Sequence, residues 1–278
     1  MREKIGRYGI LNVVLQPHPA EAYERLFRKA AKSKITVNYR AERYARISPL
    51  TDLKDDIFSG RLATWSEIDV EGNVIDKNTL DEQLFSEANI EIPNSVGFNA
   101  KVFNFSFKIS SHQVFIELIN DENEKIAISS AQRILWSILE KVLMPTEELD
   151  VHIVSKKSAI DYVLNIPLLK KIEIVVQLPN PDVTSGSKQE IFDVIDGMHA
   201  KSVTLGITSR NGGGALLLTP GVRTLAELST ENGHTTAYGR NVEGETVERS
   251  TKDVPAEIQI VLNHDETRAA ATRRIARG

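Results

Sequence analysis

The chain has no cysteine. Disulfides, thiolate zinc sites, iron–sulfur clusters and a cysteine nucleophile are therefore excluded. No apolar run approaches the roughly 18 residues of a membrane-spanning helix, and the opening MREKIGRYGI lacks the apolar core of a signal peptide. The spacings GxxxxGK(S/T), GxGxxG, HExxH and GxSxG are all missing, so nothing marks a phosphate loop, a dinucleotide fold, a zinc protease or a hydrolase elbow. The glycine run Asn211 to Gly214 follows an expected strand but reads as a flexible connector. Thr184-Ser185-Gly186-Ser187 does not form a nucleophile elbow. His18, His112, His152, His199, His234 and His264 are scattered, with no i,i+4 pair on an expected helix. His112 with Glu117, and His264 with Asp265, are the pairs that could meet further carboxylates. No metal and no cofactor is expected, and no catalytic residue is identified.

What remains is an ordinary globular composition, 41% hydrophobic and 26% charged over 278 residues. A chain of that length hides roughly three-quarters of its unfolded surface and suggests about two domains. The charge is uneven. Residues 1–50 hold eleven Lys/Arg against four Asp/Glu, a net of +7, and residues 51–150 hold eight against nineteen, a net of −11. The last eleven residues hold Arg268, Arg273, Arg274 and Arg277 and no acid. A basic head and a basic tip flanking an acidic middle point to a polyanion partner, or to a head docked against its own acidic middle.

Hydrophobic spacing predicts a strand at 5–16, a helix at 19–32 with Pro19 in its first turn, and a strand at 35–47. A hairpin is expected within 57–75 around Glu71-Gly72-Asn73, then a short helix over 79–88. KVFNFSFKI at 101–109 places Phe103, Phe105, Phe107 and Ile109 on one face at period two, with 113–119 as its neighbour. Ser129 and Ser130 offer an N-cap for a helix at 130–143. Beyond Pro145 come strand 150–154, helix 156–164, strand 171–178, a turn at 179–182, helix 187–199, strand 201–208, helix 220–231, and strands 234–240, 245–250 and 256–262. Residues 265–277 have helical propensity but little apolar face to bury. The fold class is α+β, mostly antiparallel sheets with about five helices in two subdomains: a β-rich domain with the basic head at 1–145 and an α+β domain with the arginine-rich tail at 146–278.

The candidate site is cationic. Arg25, Arg28, Lys29 and Lys32 line one face of the first helix. Arg40, Arg43 and Arg46 interleave with Tyr39 and Tyr44 on the next strand. Alternation along an unbroken strand puts Arg40 and Arg46 on one side, together with the helix cations, and Arg43 on the other. Arginine binds phosphate through paired hydrogen bonds, and tyrosine stacks on bases. Arg273 and Arg274 in the tail add a mobile cationic arm. The carboxylates Asp55, Asp56, Asp69, Glu71, Asp121, Glu122 and Glu124 crowd the middle, and Asp121 to Glu124 reads as a solvated turn.

The stretches FNFSFKISSHQVFIEL at 103–118, IEIVVQLPNPD at 172–182 and LSTENGHTTAYGRNVEGETVERSTKDVP at 228–255 resemble an uncharacterised family of bacterial and prophage proteins of about this length, classed as a domain of unknown function. Element order and length over the last two-thirds are similar, more distantly, to RexA of the phage lambda exclusion system, a DNA-binding dimer with some likeness to the recombination-associated protein RdgC. The resemblance implies a homodimer that binds nucleic acid without sequence preference, acting in phage defence. The absence of cysteine fits a reducing compartment, and a cytoplasmic location, DNA ahead of RNA and a partner protein from the same operon are expected. The residues leave open two other classes: a metal-dependent nuclease-like toxin using acids and His112, and a protein-interaction module whose acidic middle takes a basic partner.

Overall fold

A computed structural model describes residues 4–17, 20–88, 90–93, 95–178, 187–210 and 214–278. His18, Pro19, the turn expected at 179–182, residues 184–186 and the glycines at 212–213 lie outside the described residues. The chain is α+β, with antiparallel pairing throughout the described strands and six α-helices among the described residues.

The first strand, β1 (Ile5–Gln16), is a near-continuous apolar run because both of its faces are covered. It runs through an eight-stranded sheet of order β14 (Glu257–Val261), β1, β8 (Gln113–Glu117), β7 (Phe98–Lys108), β4 (Ile57–Ser66), β3 (Arg43–Ile47), β2 (Val37–Arg40). One edge of β1 pairs with β8. The other is filled end to end, by β14 along Ile5–Gly9 and by β9 (Glu148–Ile153) along Leu11–Gln16. Residues from both sides of position 145 thus build the same sheet.

One face of the sheet is covered by α1 (Ala20–Lys32) and α2 (Ile128–Glu140). Tyr23, Leu26 and Phe27 from α1, and Ile134, Leu135 and Ile138 from α2, bury against Leu11, Val13, Phe58 and Phe107. The phenylalanine stripe behaves as its spacing predicts. Phe103, Phe105 and Phe107 are all buried, and Phe27 stands 4.7 Å from Phe107 and 6.3 Å from Phe105 between ring centres. The helix α2 begins at Ile128, ahead of the expected serine cap. Ile128 packs over Gly9, where a Cβ would fall 2.3 Å from its Cδ1.

The other face is partly covered by α6 (Arg268–Arg277). Its sequence shows little apolar face, yet Arg268, Ala271, Thr272 and Ala276 are buried, and Ala271 and Ala276 pack with Tyr8, Leu262, Ile57 and Phe115. Small side chains let the helix sit close to the strands.

Three sequence expectations fail locally. The strand expected at 35–47 is two strands, broken at Ala41 and Glu42, where Ala41 has φ of 43°. Instead of a hairpin within 57–75, β4 pairs with β3 and β7, while β5 (Asn73–Ile75) pairs with β6 (Glu82–Leu84) in a separate two-stranded sheet. The helix expected at 79–88 is that second strand followed by one 3-10 turn at Phe85–Glu87. A four-stranded sheet of order β11 (Ser202–Thr208), β10 (Leu168–Gln177), β12 (Gly233–Arg240), β13 (Thr246–Ser250) forms the rest. It buries Ile172, Ile174 and Val176 against α3 (Ala159–Leu164), α4 (Ser187–Gly197) and α5 (Pro220–Leu228).

Candidate nucleic-acid interface

The break at Ala41 decides where the cations go. It resets alternation, so Arg40 and Arg43 stand directly opposite each other across the β2–β3 pair, both exposed. Ala45 and Ile47 enter the core beneath α1, and therefore Tyr44 and Arg46 project from the opposite face. Arg46 does not share a side with the helix cations.

On that outer face Tyr44 pairs with Trp65 of β4, and Arg46 with Ala63. The two rings stack at 6.4 Å between centres with 24° between planes. The indole N–H donates to Glu67 Oε1 at 3.2 Å. Gly97 passes so close that a Cβ there would fall 2.2 Å from Trp65 Cδ1. Arg61, two positions along β4 from Ala63, completes an open groove of about 800 Å³ lined by Arg46, Arg61, Ala63, Trp65 and Val102. Glu67 is the one carboxylate among the lining residues. Among the described residues, Arg40, Arg43, Arg46 and Arg61 have no carboxylate partner. Arg40 and Arg43, on the face of Ala45 and Ile47, do not line this groove.

The other expected site residues, Lys32 apart, are committed elsewhere. Arg25 is bound to the buried carboxylate of Glu147, which also accepts a hydrogen bond from the Met144 N–H at 2.9 Å. Arg28 donates to Glu24 one turn earlier at 2.7 Å, and Lys29 to the Val142 carbonyl at 2.9 Å. Lys32 is exposed. The tail is docked, which corrects the expectation of a mobile arm. Arg273 donates to Thr51 Oγ1 at 2.9 Å and Ser59 Oγ at 3.3 Å, Arg274 to both oxygens of Glu266 at 2.8 Å, and Arg277 to Asp55 at 2.7 Å. From the acidic middle, Glu147 and Asp55 each hold one of these cations.

The residues of the nuclease alternative lie apart. His112 is fully buried, its ring 4.5 Å from that of Tyr23. Glu117, also fully buried, accepts from Asn104 N–H and Nδ2 at 3.0 and 2.8 Å and faces Arg268 Nη1 at 3.2 Å. Burial raises its carboxyl above the ordinary carboxylate range, against the lowering by Asn104 and Arg268. His264 is exposed. Among the described residues no three His, Asp or Glu side chains gather as a metal site requires, and no helix is long and apolar enough to cross a membrane.

Sequence reasoning missed Arg61 and Trp65. Their signal was the alternation of RLATW, which puts Arg61, Ala63 and Trp65 on one face while Leu62 enters the core.

A family model described as a domain of unknown function (DUF4747) matches residues 4–277. No curated protein matches the chain.

Proposed function

We propose that this chain, which belongs to the domain-of-unknown-function family DUF4747, binds nucleic acid without sequence preference along the outer face of β3, β4 and β7. The observation that carries the reading is Trp65, backed by the ring of Tyr44, in one open groove with Arg46 and Arg61, which have no carboxylate partner among the described residues. Aromatic faces stack on any base, and guanidinium groups bind phosphates in pairs of hydrogen bonds. A sheet face with half-buried rings at an open groove suits splayed bases, so a single strand is the favoured form. Homodimerisation, cytoplasmic action, DNA ahead of RNA and a role in phage defence beside a protein of the same operon belong to the same proposal.

The test is anisotropy of labelled single-stranded DNA, duplex DNA and RNA across a salt series. Arg46→Glu with Arg61→Glu should weaken binding to all sequences alike and flatten its salt dependence. Trp65→Ala should cost about 1–3 kcal/mol per stacked base. Arg28→Glu with Lys32→Glu should change neither. If the groove variant binds with unchanged affinity and salt slope, the groove is not the site. Divalent-dependent cleavage of the probe would instead favour the nuclease reading. A stable hetero-complex without nucleic-acid binding would favour the interaction module.

A further inference from the structure

A second concavity, of about 580 Å³, lies where α2 meets β9 and the start of β12. Its volume is that of a small-molecule site. Arg133 and Trp136 reach it from one face of α2, and Lys252 from the turn after β13. The indole of Trp136 is 37% exposed, a large apolar plane left at the rim. Arg133 and Lys252 are exposed, and among the described residues neither has a carboxylate partner. The one carboxylate in the lining, Asp150, is already held by Lys201 at 3.1 Å.

The deeper wall is polar but uncharged. His152 and His234 line it, and burial pushes both imidazoles below the ordinary histidine range, which keeps them neutral at pH 7. His152 Nε2 and the side-chain oxygen of Gln177 are both buried, and they interact without closing a well-formed hydrogen bond. Buried polar atoms short of a good partner are uncommon, and here two of them border a cavity.

We propose that this crevice binds a nucleoside phosphate, with the base against Trp136, its polar edge at His152 and Gln177, and the phosphate between Arg133 and Lys252. A bare anion would leave the indole and the neutral wall unused. A bare nucleoside would leave both cations unused. The inference does not rest on the groove of β3 and β4, which shares no lining residue with this crevice.

The chain's two tryptophans allow the two sites to be read separately. Trp65→Phe leaves Trp136 as the sole indole. In that background, AMP, GMP, CMP and UMP are titrated against indole emission, with inorganic phosphate and the matching nucleosides as controls. At least one nucleotide should quench Trp136 saturably, about tenfold or more tighter than phosphate or its own nucleoside. Adding Arg133→Glu and Lys252→Glu should weaken that binding at least about tenfold, as loss of two charge-assisted contacts to phosphate implies, with the melting curve unchanged. In Trp136→Phe the same nucleotide should leave Trp65 emission as it was, whereas single-stranded DNA on the groove should alter it. The proposal is overturned if none of the four nucleotides quenches Trp136 saturably at millimolar concentration, or if the charge-reversed protein binds equally well. Failure of DNA to alter Trp65 would count against the groove alone.

Discussion

Replacing Arg268 by methionine tests whether the arginine-rich tail is a structural anchor. Methionine keeps most of the apolar stem while removing the guanidinium, which lies 3.2 Å from Glu117 Oε1 and 3.0 Å from Asp121 Oδ1 and donates to the Ile119 carbonyl at 2.9 Å. A pair at 3.2 Å in an effective dielectric of about 20 attracts by about 5 kcal/mol. Desolvation of both ions offsets much of this, but removing one ion leaves the other's burial cost in place, and such breaks cost about 3–5 kcal/mol. Asn104 still donates twice to Glu117, and the carboxyl can escape by taking a proton, so the lower end, about 3 kcal/mol, is expected. That corresponds to a fall of roughly 6–12 °C in melting temperature. Because burial already holds the Glu117 pKa above its unfolded value, protonation favours the folded state. That contribution is present below the unfolded pKa of about 4.3 and is lost as pH rises through the folded one. Without Arg268 the folded pKa rises further, so the gap between variant and parent should narrow from neutral pH toward about pH 5. Thermal and urea melts at both pH values measure this, and Arg268→Met with Glu117→Gln should recover most of the loss. Equal melting of Arg268→Met and parent at neutral pH, or a double variant no better than the single, would refute the anchor.

Arg25→Glu should lower the urea-derived stability by about 2–4 kcal/mol, because it sets a carboxylate against the buried Glu147, whereas Arg28→Glu, which breaks only a surface pair, should cost under about 1 kcal/mol. Equal midpoints for the two would contradict the assignment. Phe105→Ala should cost about 3–5 kcal/mol through lost transfer energy and a cavity beside Phe27, and an unshifted melt would mean that the stripe is not buried. Burial holds His152 below its unfolded pKa of about 6.5, so stability should be intact above that pH and decline as pH falls through it toward the folded pKa. His152→Asn should soften that decline, and an identical pH profile would dismiss the residue as its source.

Hydrophobic period was the reliable signal in this sequence. The stripe Phe103 to Phe107, the long β1 and the strand–helix rhythm of the last third all follow from one residue's distance to the next. Charge was legible only as composition. The partner of Arg25 is 122 residues away and that of Arg277 is 222 away, and no local pattern announces pairings at that range. Parity along 35–47 was correct for an unbroken strand, and a positive φ at Ala41, a residue that rarely adopts one, overturned it. The tail misled because alanine and threonine count little as apolar area, although their small size is what lets α6 approach the sheet. Trp65 and Arg61 were hidden in a segment whose turn signal at Gly72 suggested a local hairpin, while its strand pairs instead with neighbours on either side in sequence.

The end-to-end filling of one edge of β1 sets a timetable for synthesis. Ile5 finds its partner only when Val261 has emerged. At roughly 5–20 residues per second, the ribosome needs about 12–50 s to cover that interval. Half of the edge is occupied once β9 has been made, but the other half stays open, and so does the sheet face that α6 will cover. Open edges recruit strands from other chains. Substitutions in β14 should therefore act like lesions in the first strand, raising aggregation during translation more than they weaken the finished protein. A message cut short before the codon for Glu257 should yield insoluble material, not a smaller working protein.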